Sequence, residues 1–271
     1  MSASVAISGE TGAGTQTVPA LQVLAEPRKP LAEYYEVLFA RLGPQGWWPG
    51  RTPFEVIVGA ILVQNTAWTN VEKAIANLRR ERLLTPRALR DVELARLARL
   101  VRSAGYFRQK ARKLKAFVAF LCERHGGSLK RMFAMPTAQL REQLLAVHGI
   151  GPETADSILL YAARHAVFVV DAYTKRVLVR HGLVAESAKY EEMRGLFERE
   201  LRREVQLYNE YHALLVNVGK NWCRPREPRC GECPLGVFPV VAAFGPAHPG
   251  PLAEEGSSRA GLKAAATGFC A

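Results

Sequence analysis

The sequence lacks the features of a membrane or fibrous protein. No apolar run reaches the roughly 18 consecutive residues that a membrane-spanning helix requires, so a multi-span membrane protein is excluded and no membrane partner is expected. Hydrophobic residues make up 48% of the 271 residues and charged residues 23%, which excludes a wholly disordered chain or a collagen. Residues 1–28 contain one base and no apolar block, so no secretory signal is predicted.

Strand-like sequence is also scarce. The one such run, residues 167–170, is too isolated to imply a sheet. Elsewhere apolar residues recur at intervals of three and four, which predicts an all-α protein of about ten helices. Four of these helices are predicted over 154–164, 172–182, 189–202 and 206–221. Residues 1–28, rich in Gly, Ala, Ser and Thr, are predicted to form a disordered arm, and residues 239–271 an irregular tail.

Acidic residues are too few to balance the bases. The chain has 37 Lys and Arg against 25 Asp and Glu, a formal net charge of +12 at pH 7. The arm and the tail together hold three bases and four acids, so the segment between them carries +13. A basic surface of this kind attracts polyanions such as nucleic acid, although charge alone equally fits a basic protein without such a partner.

Cysteine is sparse and odd in number, which argues against a disulfide framework. The five cysteines are Cys122, Cys223, Cys230, Cys233 and Cys270. Three of them fall within eleven residues, a pattern typical of metal or cluster ligation in a reducing compartment. Cys122 lies on the apolar face of a predicted helix and is expected to be a buried core thiol.

Two glycines mark a turn between two predicted helices, within the segment HGIGPETAD. Gly149 and Gly151 can adopt positive φ, and Ile150 between them would fill the gap between the helices. The amides of the turn and of the next helix would then point outward together and bind an anion. A DNA phosphate is the expected ligand in a basic protein. The same pattern also fits a plain αα-hairpin turn without a ligand.

Asp171 follows the apolar run at 167–170 and precedes a predicted helix. Aspartate at this position is typical of a helix N-cap. A carboxylate at the edge of a cleft can also activate water or stabilise a sugar that develops oxocarbenium character during glycosidic cleavage. The two interpretations are compatible, because a capping hydrogen bond also fixes the orientation of the carboxylate.

The sequence G-I-G-P-E-T-A-D, followed by V-V-D, resembles the helix–hairpin–helix DNA glycosylase superfamily, which includes endonuclease III. The segment ILVQNT, which ends at Thr66, resembles the family loop that inserts a glutamine into the space left by a flipped base. Cys223-x6-Cys230-x2-Cys233 resembles the iron–sulfur segment of the family. These features occur in the family's order within roughly residues 30–238.

This resemblance implies the domain organisation. A six-helix barrel domain would cover 53–171, with the hairpin at 148–155. A second helical domain of iron–sulfur type would be built from both chain ends, 29–52 and 172–238. Double-stranded DNA that contains a damaged base would lie in the groove between the two domains.

The resemblance also implies the roles of single residues. Asp171 would be the catalytic carboxylate, and Gln64 would fill the gap in the DNA. The other residues expected to contact DNA are Gly149, Gly151, Thr154 and Lys175.

Glu153 departs from the family pattern. Bifunctional members carry a lysine at this position, whose amine forms a Schiff base with C1′ and permits strand cleavage. A carboxylate cannot form an imine, so the enzyme is expected to be monofunctional, with water as nucleophile, unless another lysine substitutes. Lys175, one helical turn beyond Asp171, is the nearest candidate in sequence, although a phosphate contact is the preferred role for it.

Paired tryptophans refine the resemblance. The segment GWWP before the glutamine loop, together with the glutamate of the hairpin, resembles a bacterial 3-methyladenine DNA glycosylase branch. Trp47 and Trp48 offer flat π-faces for an electron-poor alkylated purine, and with Glu153 they are expected to form the base pocket. Both tryptophans could instead simply pack between the domains.

The iron–sulfur segment is incomplete. The family pattern places a fourth cysteine six positions after Cys233, where this chain has Pro239. We expect Cys223, Cys230 and Cys233 to hold a 4Fe–4S cluster, with Cys270 on the tail as the candidate fourth ligand. Zinc is the alternative metal.

Three functions are therefore compatible with the sequence. The first is a monofunctional DNA repair glycosylase for alkylated purines such as 3-methyladenine, acting as a monomer in the cytoplasm at the bacterial nucleoid. The second is an endonuclease III-like glycosylase and lyase for oxidised pyrimidines, which Glu153 disfavours. The third is a non-catalytic DNA-structure-binding protein, which Asp171 disfavours because a pure binder gains nothing from a carboxylate near phosphates.

Overall fold

A computed structural model of the protein describes residues 30–241. The predicted arm at 1–28, the tail from residue 242 onward and Cys270 lie outside the described residues. None of the helices within 30–241 is long and apolar enough to cross a membrane.

Residues 30–241 fold into α-helices joined by short turns, without any strand, which confirms the predicted all-α class. In chain order the helices are α1 (Pro30–Leu42), α2 (Pro53–Leu62), α3 (Trp68–Arg80), α4 (Pro86–Asp91), α5 (Leu94–Leu100), α6 (Phe107–His125), α7 (Leu129–Phe133), α8 (Thr137–Leu145), α9 (Pro152–Ser157), α10 (Ala172–Arg180), α11 (Tyr190–Glu200) and α12 (Val205–Asn221). The 3-10 turns are Arg102–Ala104, Cys230–Glu232 and Pro234–Val237. The predicted number of about ten was low because α4 and α7, with six and five residues, are too short for a clear periodicity.

The helix predicted at 154–164 begins two residues earlier and changes its character. Pro152 occupies the first turn of α9, where its missing N–H costs nothing and its fixed φ suits a helix. The helix then widens into a π-helical turn at Ile158–Ala162, all of whose residues are buried. The apolar run at 167–170 that follows is extended and buried without pairing to a strand in the described chain. This run carries the chain directly to Asp171.

Helix α2 lies at the centre of the molecule. Every residue from Phe54 to Leu62 is buried, and the helix packs against α3, α6, α9 and the π-helical turn. A helix that is apolar on all faces is expected in such a central position. Its carboxyl end points the glutamine loop towards the hairpin between α8 and α9.

The two ends of the described chain pack together. Helix α1 contacts α11, α12 and the turn at Pro234–Val237, and α10 packs along α12. These helices and those around α2 share one continuous apolar core. The division into two domains at residues 52 and 171 stays a prediction.

A buried ion pair ties the hairpin helix to its neighbours. Arg141 of α8 donates to both carboxylate oxygens of Asp156 in α9, at 2.7 and 3.1 Å. Tyr190 of α11 donates to the same carboxylate at 2.8 Å. Asp156 is fully buried, and this forked contact therefore fixes the orientation of α9 relative to α8 and α11.

Candidate active site

Asp171 caps α10 and keeps one carboxylate oxygen for other partners. Its Oδ1 accepts a hydrogen bond of 2.7 Å from the amide of Thr174. Its Oδ2 lies 3.6 Å from Nε2 of His212, and 13% of the Asp171 side chain is exposed. The N-cap and the functional interpretation of Asp171 are therefore structurally compatible, because capping uses one oxygen only.

His212 and Tyr161 lie close to Asp171, and neither residue was singled out from the sequence. His212 lies on α12 and is buried, and its Nδ1 is 2.5 Å from the hydroxyl of Tyr161 in the π-helical turn. Burial lowers the pKa of His212, while the charge of Asp171 acts in the opposite direction. Each residue belongs to a strongly apolar helical stretch, where a single polar side chain is most often a satisfied core residue, so no signal marked them.

Glu153 shares the cleft with Asp171. It occupies the first turn of α9, where water reaches its side chain although protein surrounds much of it. Burial, together with the smaller effect of the negative charge of Asp171, raises the pKa of Glu153 to about 7. The site therefore holds two carboxyl groups, of which Glu153 gains and loses its proton near neutral pH.

Four aromatic side chains, which we call the aromatic wall, lie next to these carboxyl groups: Trp47, Trp48, Trp68 and Tyr161. The ring of Trp48 lies 5.0 Å from that of Tyr161 and 5.1 Å from that of Trp68, and Trp47 lies 5.6 Å from Trp48. The indole N–H groups of Trp47 and Trp48 are buried and have no hydrogen-bond partner among residues 30–241. Such donors are available to a ligand.

Trp68 is a member of the wall that sequence reasoning missed. It is the first residue of α3, and its indole N–H donates to Glu72 at 3.0 Å. Gly59 of α2 makes room for it: a Cβ at this glycine would lie 3.4 Å from both Trp48 and Trp68. Its position two residues after the ILVQNT segment was the only available signal.

Gln64, Gly149 and Thr154, which were each expected to contact DNA, come together on one surface. The amide nitrogen of Gln64 donates to the carbonyl of Gly149 at 3.1 Å and to the hydroxyl of Thr154 at 2.8 Å. Its carbonyl oxygen accepts from Lys113 of α6 at 2.5 Å, a residue that sequence reasoning did not single out. Without DNA, the glutamine is therefore docked onto the hairpin.

A buried lysine binds the end of α2, where the glutamine loop begins. Lys110 of α6 is 2% exposed, and its ammonium donates to the carbonyls of Leu62 and Ala104 at 2.8 and 2.6 Å. Burial lowers the pKa of Lys110 to about 8, and the nearby Lys113 adds to this effect. Because Leu62 ends α2, this contact fixes the start of the loop that carries Gln64.

One of the two hairpin glycines uses the positive φ that both can adopt. Gly149 has a φ of +82°, a left-handed conformation that favours glycine, and Ile150 is buried between the helices as expected. Gly151 has a φ of −94°. Gly151 is instead the extended N-cap residue of α9, and open space surrounds the position of a Cβ.

Lys175 lies on α10, one turn after Asp171, and is half-buried. Within the described chain, its ammonium takes part in no hydrogen bond or ion pair. The neighbouring Arg176, by contrast, donates to the carbonyls of Cys223 and Gly219 at 2.6 and 2.9 Å. The Lys175 amine is therefore available to a phosphate or to the sugar.

Cys223, Cys230 and Cys233 line a single cavity next to α10. Arg180 lines it as well and donates to the Cys223 sulfur at 3.4 Å. Burial raises the pKa of the Cys233 thiol to about 11, and the two other thiols add to this effect. At the predicted fourth position, the carbonyl of Pro239 accepts a hydrogen bond of 3.0 Å from Nδ1 of His181.

Residues 30–241 contain no group of three or more His, Cys, Asp or Glu gathered closely enough to hold one metal ion. The three thiols on the wall of this cavity are the side chains that could hold a metal or a cluster. Cys122 is only half-buried, which corrects its expected full burial.

The chain is similar to known DNA repair proteins. A family model for the HhH-GPD superfamily base excision DNA repair protein matches residues 58–203. The protein named "Putative DNA repair glycosylase MJ1434" from Methanocaldococcus jannaschii is 45% identical over 205 residues, which cover 75% of this chain and 93% of that one. Endonuclease III of Sulfolobus acidocaldarius is 29% identical over 184 residues, covering 68% and 79%.

Solved structures show the same fold. A non-covalent endonuclease III–DNA complex superposes with a TM-score of 0.67 at 23% identity, covering 79% of this chain and 95% of that one. The 3-methyladenine DNA glycosylase of H. pylori, bound to 1,N6-ethenoadenine, gives 0.61 at 28% identity, covering 71% and 96%. The predicted helix–hairpin–helix glycosylase fold is confirmed, and the chain belongs to the HhH-GPD superfamily of base excision DNA repair glycosylases.

Proposed function

We propose that the protein is a monofunctional DNA glycosylase that flips an alkylated purine, such as 3-methyladenine, out of duplex DNA and hydrolyses its N-glycosidic bond. The observation that carries this proposal is the pair Glu153 and Asp171. Glu153 puts a carboxyl group where a lysine nucleophile would be required. Asp171 lies nearby and has one carboxylate oxygen that the helix cap does not use. Water then remains as the nucleophile.

Asp171 acts on the sugar in this proposal. As the glycosidic bond breaks, positive charge develops on the deoxyribose, and an ionised carboxylate nearby stabilises it. Oδ1 is held by the cap, so Oδ2 is the oxygen that faces the sugar or the attacking water. The base leaves with the electron pair of the bond to C1′. Water adds its oxygen to C1′, and the proton that this water loses passes to Oδ2 of Asp171 and from there to solvent.

The aromatic wall accounts for the choice of base. An alkylated purine is electron-poor or cationic and stacks well on the faces of tryptophan rings. The free indole N–H groups of Trp47 and Trp48 add two donors beside these faces. Glu153, ionised above a pH of about 7, adds a negative charge that favours a cationic base over a neutral one.

The second candidate is a glycosylase with lyase activity on oxidised pyrimidines. The free ammonium of Lys175 favours it, because an unpaired amine one turn from Asp171 could replace the missing nucleophile. Glu153 disfavours it, because the position of the lysine nucleophile in bifunctional members holds a carboxyl group, which cannot form an imine. The non-catalytic binder has no specific observation in its favour.

The remaining parts of the proposal concern DNA, the cluster and the cell. The protein binds double-stranded DNA as a monomer in the cytoplasm. Cys223, Cys230 and Cys233 hold a 4Fe–4S cluster, with Cys270 as the fourth ligand. The cluster supplies structural support, and it would hold the exposed arginines of the loop after Cys223 in place for phosphate binding: Arg224, Arg226 and Arg229.

The decisive experiment separates base release from strand cleavage. Duplexes that each contain one lesion are incubated with the protein, released bases are quantified by chromatography, and strands are analysed with and without alkali. We expect release of an alkylated purine and breaks only after alkali. Borohydride is added in a parallel reaction, and a trapped protein–DNA adduct that disappears in Lys175→Met would establish the second candidate instead. DNA binding without release of any base would support the third function, a non-catalytic DNA-structure-binding protein.

A further inference from the structure

His212 connects two parts of the cleft through a chain of polar contacts. Its Nδ1 is 2.5 Å from the hydroxyl of Tyr161, and its Nε2 is 3.6 Å from Oδ2 of Asp171. Nε2 is buried and has no hydrogen-bond partner within residues 30–241. The carboxylate of Asp171 is therefore the polar group that Nε2 faces.

The charge of Asp171 selects the tautomer of His212. If the proton were on Nδ1, the lone pair of Nε2 would point at an anionic oxygen, which is repulsive. With the proton on Nε2, its N–H faces the carboxylate, and the Tyr161 hydroxyl donates to Nδ1. Each group then has a partner of the right kind, so this tautomer is favoured.

The surroundings keep the imidazole neutral. Burial lowers the pKa of His212 more than the charge of Asp171 raises it. The titratable groups facing His212 are Asp171 from the start of α10 and Tyr161 from the π-helical turn, with Glu153 on the far side of Asp171. Helix α1 packs against α12 through Tyr35, whose ring lies 5.3 Å from that of Tyr211.

We propose that His212 is a positioning residue for Asp171: Tyr161 holds it as the Nε2–H tautomer, and this N–H faces the carboxylate and fixes its direction. The inference rests on the proposed function, because it takes Asp171 as the acting carboxylate. At 3.6 Å the contact between Nε2 and Oδ2 is electrostatic and too long for a hydrogen bond.

The same contacts link the carboxylate to the base pocket. The ring of Tyr161 lies 5.0 Å from that of Trp48. A base seated on Trp48 therefore packs over the side chain that orients His212. One tyrosine thus connects the aromatic wall with Asp171.

The first test needs no substrate. In protein labelled with ¹⁵N-histidine, long-range proton–nitrogen spectra report the tautomer of each of the six histidines, and His212→Gln identifies the signal. We expect His212 to be neutral and protonated at Nε2 from pH 5.5 to 8, and Tyr161→Phe to shift the balance towards Nδ1–H. An Nδ1–H tautomer or an imidazolium in the wild type overturns the proposal even if the enzyme excises no tested base.

The second test measures the single-turnover rate of base release. His212→Phe removes the N–H that directs the carboxylate, so excision should slow about tenfold. His212→Gln, whose amide can donate from a similar distance, should restore most of the rate. Affinity for lesion DNA should change less than about twofold in both variants.

Controls separate this role from a structural one. His125 of α6 is equally buried and lies 3.1 Å from Gln143, away from Asp171, so His125→Phe should keep the wild-type excision rate. An unchanged rate in folded His212→Phe, or no recovery in folded His212→Gln, overturns the positioning role. If His212→Phe does not fold, Tyr161→Phe provides the same comparison. Loss of excision in Asp171→Asn with a normal His212→Phe would leave the proposed function intact.

Discussion

The amide of Gln64 donates a hydrogen bond of 2.8 Å to the hydroxyl of Thr154, which fastens the glutamine loop to the helix of the hairpin. Lys113 holds the other end of the same amide at 2.5 Å. Insertion of Gln64 into a duplex must therefore exchange three protein contacts for contacts with DNA. This exchange is favourable only where a flipped base has left a gap.

Replacing Gln64 tests this exchange. Gln64→Ala should weaken binding to lesion DNA about tenfold, because the inserted amide contributes roughly 1–1.5 kcal/mol, and should change binding to undamaged DNA less than twofold. Gln143→Ala is the matched control: this glutamine of α8 contacts His125 and not the glutamine loop, so binding to both duplexes should stay at the wild-type level. Fluorescence anisotropy with both duplexes measures the affinities. Equal weakening on both would make Gln64 an ordinary surface contact.

Asp171→Asn should abolish base release while sparing the fold and DNA binding. Asparagine caps helices as well as aspartate does, so the bond to Thr174 survives and the melting temperature should stay close to the wild-type value. Removing the charge should slow single-turnover excision by about 10²-fold or more. Normal excision by this variant would show that Asp171 only caps α10.

The raised pKa of Glu153 gives a pH dependence of stability. The folded protein holds the proton of Glu153 up to a pH of about 7, whereas an ordinary glutamate has a pKa of 4.5. Between these two pH values the folded state binds more protons than the unfolded state, so Glu153 makes the free energy of unfolding fall as pH rises. Glu153→Gln removes this contribution. In urea titrations, the variant should gain stability relative to the wild type between pH 5 and pH 8.

A control defines the size of this effect. Glu142 lies on the exposed face of α8, and Glu142→Gln should run parallel to the wild type over the same pH range. If Glu153→Gln also runs parallel, Glu153 is ordinarily solvated and does not share the cleft with Asp171. The proposed contribution of Glu153 to the selection of a cationic base would then be rejected as well.

Asp156 provides the corresponding test of the scaffold. Asp156→Asn leaves Arg141 partly buried with only the exposed Glu191 to balance it, and should cost about 3 kcal/mol in the free energy of unfolding. Asp91→Asn, which disrupts the exposed pair with Arg90, should leave the free energy of unfolding close to the wild-type value, because solvent screens such a pair. Urea denaturation measures both. A loss at Asp156 no larger than that at Asp91 would show that the forked contact does not fix α9.

The sequence predicted those features that depend on local pattern. The helices follow from apolar periodicity, and the position of Asp171 follows from its place between an extended run and a helix. His212 and Tyr161 could not be predicted, because their contact joins residues 51 positions apart and neither neighbourhood differs from an ordinary core helix. Trp68 was missed for a similar reason: its role depends on Gly59, which allows two indoles to approach α2.

The docking of Gln64 was also beyond a pattern-based prediction. The sequence assigned the glutamine loop and the hairpin separately to DNA contact. That they bind each other could not be predicted, because the partners Gly149 and Thr154 lie 85 and 90 positions away from Gln64. Which of the two hairpin glycines adopts positive φ could not be predicted either, since glycine tolerates extended and left-handed geometry alike.

The cluster gives the last prediction. Cys223, Cys230 and Cys233 line one cavity, and the proposal places the cluster there. Protein purified without oxygen should be yellow-brown, absorb at about 400 nm and contain about four irons. Serine at any of the three positions should remove most of the iron. Cys122→Ser, on α6 and outside the cavity, should retain the full load of iron.

Cys270→Ser should bind the cluster but lose it within hours on exposure to air or chelator, because one iron would then lack a thiolate. A stable full load in Cys270→Ser would assign the fourth ligand to another atom, and zinc without iron in the anaerobic protein would reject the cluster itself.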